Sequence, residues 1–127
     1  MDLKEYSGNS LSFLGDAVYT LRVREHFLKE GYQSPGKLQI LCNRMNSAKG
    51  QTETWFRLKE ASFFTEKEEE IFKRGRNAIR HIPKNGDLMT YETASGLEAV
   101  CGYHYLTDRE RLEAFFEAVF RGEENDE

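Results

Sequence analysis

The chain has 127 residues, 31% of them charged and 39% hydrophobic, with a formal charge of −4. That length fits one domain with a core of its own, and the two cysteines, Cys42 and Cys101, match no disulfide or metal spacing, as expected of reduced thiols in a cytoplasmic protein. No apolar run approaches the ~18 residues that span a bilayer, and the N-terminus has no secretory pattern, so no membrane partner is expected.

In chain order, Leu11, Leu14, Val18 and Leu21, then Leu28, recur at helical spacing. They predict an amphipathic helix over roughly 10–29, stopped by Gly31. Ser34-Pro35 reads as an N-cap followed by proline at the first helical position. A helix over 46–60 is expected to bury Trp55, Phe56 and Leu58. Thr65-Glu66-Lys67-Glu68 and Thr107-Asp108-Arg109-Glu110 read as capping boxes, the first opening a helix toward Lys73 and the second the last helix. Between them Ile82-Pro83-Lys84-Asn85-Gly86-Asp87 is loop chemistry, followed by a helix over 91–106. Aromatics at helical spacing fill 112–120. No stretch alternates polar with apolar residues. The expected fold is therefore all-α, a helical bundle over 1–121, with 122–127 an acidic tail too polar to pack.

The charge is segregated. Residues 71–84 hold Lys73, Arg74, Arg76, Arg80, Lys84 and His81 with no acid, whereas acids gather at 66–70 and 123–127. The overall negative charge therefore does not exclude a nucleic-acid partner.

Two acids stand inside apolar helix: Asp16, in Phe13-Leu14-Gly15-Asp16-Ala17-Val18-Tyr19, and Glu98, in Ala94-Ser95-Gly96-Leu97-Glu98-Ala99-Val100. Burying a carboxylate is costly unless it is paired or bound to a metal. Gly15 beside Asp16, and Gly102 one turn after Glu98, let two helices approach and bring the acids together. Such oxygen donors suit Mg²⁺ or Mn²⁺, ions that activate water and stabilise a leaving oxygen. The plain alternative for either acid alone is an ion pair or a place in solvent, and periodicity leaves the reaction open.

At these residues the sequence resembles a known family. Leu11-Ser12-Phe13-Leu14-Gly15-Asp16-Ala17-Val18 resembles the signature helix of the ribonuclease III family, and Gly96-Leu97-Glu98-Ala99-Val100-Cys101-Gly102-Tyr103 its second acidic motif. The likeness extends over about 10–121 and is greatest to the Mini-ribonuclease III branch, which lacks a separate double-stranded-RNA-binding domain. It is carried further by Asn43-Arg44-Met45-Asn46-Ser47-Ala48-Lys49-Gly50-Gln51, Phe63-Phe64-Thr65-Glu66, Lys73-Arg74-Gly75-Arg76-Asn77-Ala78 and Pro83-Lys84-Asn85. The resemblance implies a homodimeric, metal-dependent endoribonuclease that cuts double-stranded RNA and leaves 5′-phosphate ends. The substrate it implies is the stem that brackets precursor 23S ribosomal RNA, with a ribosomal protein as possible helper. Asp16 and Glu98 match the family's metal-binding carboxylates, and Phe13 its dimer-contact phenylalanine. Acids that full-length relatives carry elsewhere are matched here by Asn9, Ser12 and Ser95. Asp87 is a candidate supplementary acid, with helix capping as its alternative.

An enzyme of this kind holds phosphates and 2′-hydroxyls across the shallow minor groove of an RNA duplex. The candidates are Lys73, Arg74, Arg76, Asn77, Arg80 and Lys84, with Gly75 admitting the strand. Arg44, Ser47, Lys49 and Gln51 join them at spacings that put them on one side. The alternatives are a helix C-terminus with favourably placed cations and an ordinary polar helix face. Aromatic residues are assigned to core or dimer interface, and no histidine to metal. Two other functions compete: a catalytically silent RNA-binding or ribosome-assembly module on the same fold, and a helical protein-interaction domain. Neither accounts for the two mid-helix acids.

Overall fold

The computed structural model describes residues 6–78 and 87–124. Among them the chain forms α1 (Gly8–Lys29), α2 (Pro35–Asn46), α3 (Ala48–Glu60), α4 (Glu66–Asn77), α5 (Leu88–Thr107) and α6 (Arg109–Glu124), with no strand. The fold is all-α, as expected.

Most helix ends follow from local chemistry. Ser7 Oγ accepts the Ser10 N–H to start α1. Gly31, at φ 104°, ends it: its N–H reaches Leu28 O, and the Tyr32 N–H reaches Phe27 O. This double closure needs a left-handed residue, which glycine adopts without strain. Ser34 caps α2 with Pro35 following it. The helix expected over 46–60 begins at Ala48, after Ser47, whose hydroxyl caps it at 3.0 Å from Gly50 N. The Thr65–Glu68 capping box closes in both directions. The second expected box does not form. Thr107 belongs to α5 and gives its hydroxyl hydrogen back to Tyr103 O, so Asp108 caps α6 by accepting the Arg111 N–H.

Helix α5 is the hub, packed by α1, α3, α4 and α6. Its middle is buried on nearly every side, with Leu97, Ala99, Val100 and Cys101 fully covered, as a core helix requires. Tyr19, Phe115 and Phe116 pack together on one side of the core, and Trp55 stacks on Phe72 at 3.6 Å on another. A buried polar link ties α4, α5 and α6. The Glu68 carboxylate accepts two hydrogen bonds from Arg111, and His104 Nε2 lies 2.7 Å from it. Burial alone would raise the pKa of Glu68, but its bonds from Arg111, His104 and the Thr65 N–H hold it far below the usual carboxylate range. Cys42 and Cys101 are buried free thiols.

Three expectations are corrected. The buried face of α1 runs through Leu11, Gly15, Tyr19, Val23 and Phe27, whereas Leu21 and Leu28 are 57% and 55% exposed. Repeats of seven residues (14, 21, 28) lie along one line of the helix, and α5 covers the neighbouring line instead. Phe56 is half-exposed, because α3 turns Trp55 and Leu58 inward. Residue 122 is packed, not frayed: Gly122 is buried, and α6 continues to Glu124. The Arg57 guanidinium donates to the carbonyls of Ala118 and Val119 there, and a side chain at 122 would collide with it. Residues 125–127 lie outside the described residues.

Candidate active site

The cleft between α1 and α5 is set by glycine. A Cβ on Gly15 would run into the Glu98 carbonyl oxygen, and one on Gly102 into the Leu11 carbonyl oxygen. Only glycine admits this reciprocal approach, which brings the two acids face to face as expected. Each helix then lends one face at the same spacing: Asn9, Ser12, Phe13 and Asp16 from α1, and Tyr91, Ala94, Ser95 and Glu98 from α5. Asn46, Ala48 and Gln51, where α2 meets α3, complete a cleft of about 390 Å³. Among the described residues, no lysine, arginine or histidine lines it.

The two acids differ in burial. Asp16 is exposed on the rim, against the expectation of two buried carboxylates, and Glu98 is half-buried beneath it. Burial raises the Glu98 pKa from 4.5 to about 8. A hydrogen bond and like-charge repulsion with Asp16 add to the rise, and a hydrogen bond from Gln51 opposes it. Near neutral pH Glu98 therefore keeps its proton. The positions matched to missing acids also fall in this cleft, but two are committed to structure. Ser12 Oγ donates to Ser95 O at 2.7 Å, and Ser95 Oγ donates to Gly75 O at 3.0 Å. These bonds tie α1, α5 and α4 together.

Among the described residues, no group of three or more histidine, cysteine or acidic side chains converges as a metal site. Its lining residues offer oxygen donors, among them two carboxylates and the buried, unpartnered Asn46 Oδ1 and Gln51 Oε1. A hard divalent cation with retained waters fits such a set. Asp87 does not line this cleft. It sits at the N-cap of α5, where its carboxylate accepts the Thr90 hydroxyl at 3.0 Å.

The expected RNA-contact residues do not share one face. Gln51 is 2% exposed and turned into the cleft, Ser47 caps α3, and Arg44 lines a different hollow beside Tyr32 and Arg57; Lys49 is exposed. Lys73 and Asn77 are exposed at the end of α4. Arg74 lies 3.8 Å from Glu70, and Arg76 lies over the Phe72 ring. Gly75 does not admit a strand: it is buried against Ser95, Gly96 and Ala99. Arg80, His81 and Lys84 lie outside the described residues. Phe13, on the cleft rim, is 83% exposed. Sequence reasoning missed Asn46, and placed Gln51 on the wrong surface. Gln51 lies four residues after the break at Ser47, a break the expected helix over 46–60 did not contain.

Together these features define a class, a helical domain with an acid-paired cleft across its two longest helices. The chain belongs to the ribonuclease III family, in its Mini-ribonuclease 3 branch. The family model described as Ribonuclease III domain matches residues 9–109. Mini-ribonuclease 3 of Streptococcus pneumoniae is 42% identical, over 90% of this chain and 91% of that protein. Mini-ribonuclease 3 of Staphylococcus aureus is 41% identical, over 87% and 84%. A crystal structure of a protein from Fusobacterium nucleatum, 32% identical, superposes with a TM-score of 0.82 over 96% of this chain and 98% of that one. By this membership the chain is an endoribonuclease. No described helix is long and apolar enough to cross a membrane.

Proposed function

We propose that this endoribonuclease hydrolyses double-stranded RNA at the Asp16–Glu98 cleft with Mg²⁺ as cofactor, Mn²⁺ substituting, and leaves 5′-phosphate ends. Its substrate is the duplex stem that brackets precursor 23S ribosomal RNA, and it works in the cytoplasm as a homodimer joined through Phe13. One observation carries the reading: two carboxylates face each other in a cleft that no basic side chain lines among the described residues, and Glu98 is held protonated up to about pH 8. Among the described residues, such a pair has no positive partner lining its cleft. When bound there, a divalent cation supplies water activation and charge stabilisation at the scissile phosphate. Asp16 on the rim and Glu98 beneath it would hold the cation, Glu98 in its deprotonated form and hydrogen-bonded to Gln51.

The duplex is held outside the cleft. Lys73, Arg74, Arg76 and Asn77 at the end of α4, with Arg44 and Lys49, offer donors to phosphates and 2′-hydroxyls. The test is a cleavage assay on a labelled duplex with Mg²⁺, beside Asp16→Asn and Glu98→Gln. Wild type should cut, and each variant should lose on the order of 10²–10³-fold in rate. A stem of precursor 23S sequence should be cut in preference to an unrelated duplex of equal length. Duplex binding without cleavage under any divalent ion would favour a silent RNA-binding module. Normal cutting by either variant would remove that acid from the site.

A further inference from the structure

Two buried amide oxygens of cleft-lining residues have no use in a site of two carboxylates alone. Gln51 is 2% exposed, and its Nε2 donates to the Asn46 carbonyl at 3.3 Å and to Glu98 Oε2 at 3.4 Å. The Asn46 carbonyl, which can only accept, fixes the orientation of the amide, because reversing it would set Oε1 against that oxygen. Oε1 is therefore the free end, buried and without a hydrogen-bond partner. Asn46 Oδ1 is likewise buried and unpartnered, and both residues line the cleft that holds Asp16 and Glu98. A buried acceptor left without a partner costs about 1–3 kcal/mol. Two of them beside paired acids, with no basic side chain lining the cleft among the described residues, form an oxygen-rich pocket that favours a cation from solution.

Across the cleft, α1 contributes Asn9, Ser12, Phe13 and Asp16, so Asp16 is its one carboxylate. The Ser12 and Ser95 hydroxyls, where full-length relatives carry acids, donate to Ser95 O and Gly75 O and are fixed by the helix packing. We propose that the side-chain oxygens of Gln51 and Asn46 join Asp16 and Glu98 as donors to the divalent cation, replacing with neutral oxygens the carboxylates this chain lacks. The inference rests on the reading that the cleft takes such a cation. Neutral donors complete a coordination shell without adding negative charge, so one divalent ion balances the two carboxylates.

Mn²⁺ titrated into the RNA-free chain, with free Mn²⁺ read by electron paramagnetic resonance, tests both layers. Wild type should bind Mn²⁺, and Glu98→Gln should lose it. Gln51→Leu should bind about 10–100-fold more weakly, and Asn46→Ala should also be weakened. Gln51→Glu restores an oxygen but not the amide hydrogens, and should bind at least as tightly as wild type. If Gln51 only positioned Glu98 through Nε2, that variant would bind as poorly as Gln51→Leu, and the inference would be overturned. Wild-type affinity in both Gln51→Leu and Asn46→Ala would overturn it too, with the metal reading intact. No Mn²⁺ uptake by wild type would remove both. A second readout does not depend on variants that fold: Gln51 is one of three glutamines, and with ¹³C-glutamine only its side-chain carbonyl resonance should shift as Mg²⁺ is added. An unmoved Gln51 resonance in Mg²⁺-saturated protein counts against donation.

Discussion

Glu98 sits where burial and Asp16 both disfavour its charge, and Gln51 offers a single opposing hydrogen bond. Its pKa in the metal-free fold, about 8, stands above the 4.5 of an ordinary glutamate. The folded state thus keeps a proton that the unfolded chain releases. The stability this lends is fully present below pH 4.5 and is lost as the pH rises through about 8. Without metal, wild type should therefore lose stability against Glu98→Gln between pH 5 and pH 9. A tenfold difference in proton affinity between the folded and unfolded chain is worth ~1.4 kcal/mol, or roughly 3–6 °C in a domain of this size. Melting curves at pH 5, 7 and 9 in chelator measure the gap, and curves that stay parallel across that range would contradict the assignment. Mg²⁺ should close the gap at high pH, because binding needs the deprotonated acid.

At the scale of elements, the site depends on how closely α1 and α5 approach. Gly15→Ala puts a methyl group against the backbone carbonyl of Glu98, which has no flexible end to move aside. The helices must separate, at a cost of about 1–3 kcal/mol, and the acids separate with them. Urea denaturation should show that loss, and Mg²⁺ binding should weaken in the fraction that stays folded. Unchanged stability would mean that α1 and α5 pack less closely than the glycine contact requires. This contact was legible in the sequence because glycines flank both acids. The caps at Ser34 and Thr65 were legible too, since each rests on chemistry within a few residues. Leu21, Leu28 and Phe56 were not, because a helical stripe does not say which line a neighbouring helix will cover. Gln51 was misplaced for a related reason. Its polarity suits a surface equally well, and only the crossing of α3 over α5 turns it toward Glu98. Gly75 was read for an approaching RNA strand, but the contact it permits is with α5.

For the whole molecule, the charge pattern and the rim of the cleft bear on assembly. Helix α4 opens with Glu66, Glu68 and Glu69 and closes with Arg74 and Arg76, an arrangement its dipole favours. A net charge of −4 therefore coexists with a basic helix end that can meet phosphate. Phe13 is the least expected feature of the surface, a phenylalanine 83% exposed on the same helix face as Asp16. In a homodimer with twofold symmetry every interface residue acts twice. Burying one such ring is worth about 1.5–3 kcal/mol, so Phe13→Ala removes roughly 3–6 kcal/mol per dimer, on the order of 10²–10⁴-fold in the dimer constant. The monomer fold should not suffer, since the ring contributes little to the core. Wild type should sediment as a dimer at micromolar concentration, and Phe13→Ala as a monomer with an unchanged far-ultraviolet circular dichroism spectrum. A wild-type monomer, or a variant that dimerises as tightly, would rule out this interface. Because Phe13 lines the cleft itself, pairing through it sets the two acid clefts on either side of one twofold axis. That symmetry matches a duplex with two strands to cut, so the monomeric variant should also lose paired cleavage of both strands.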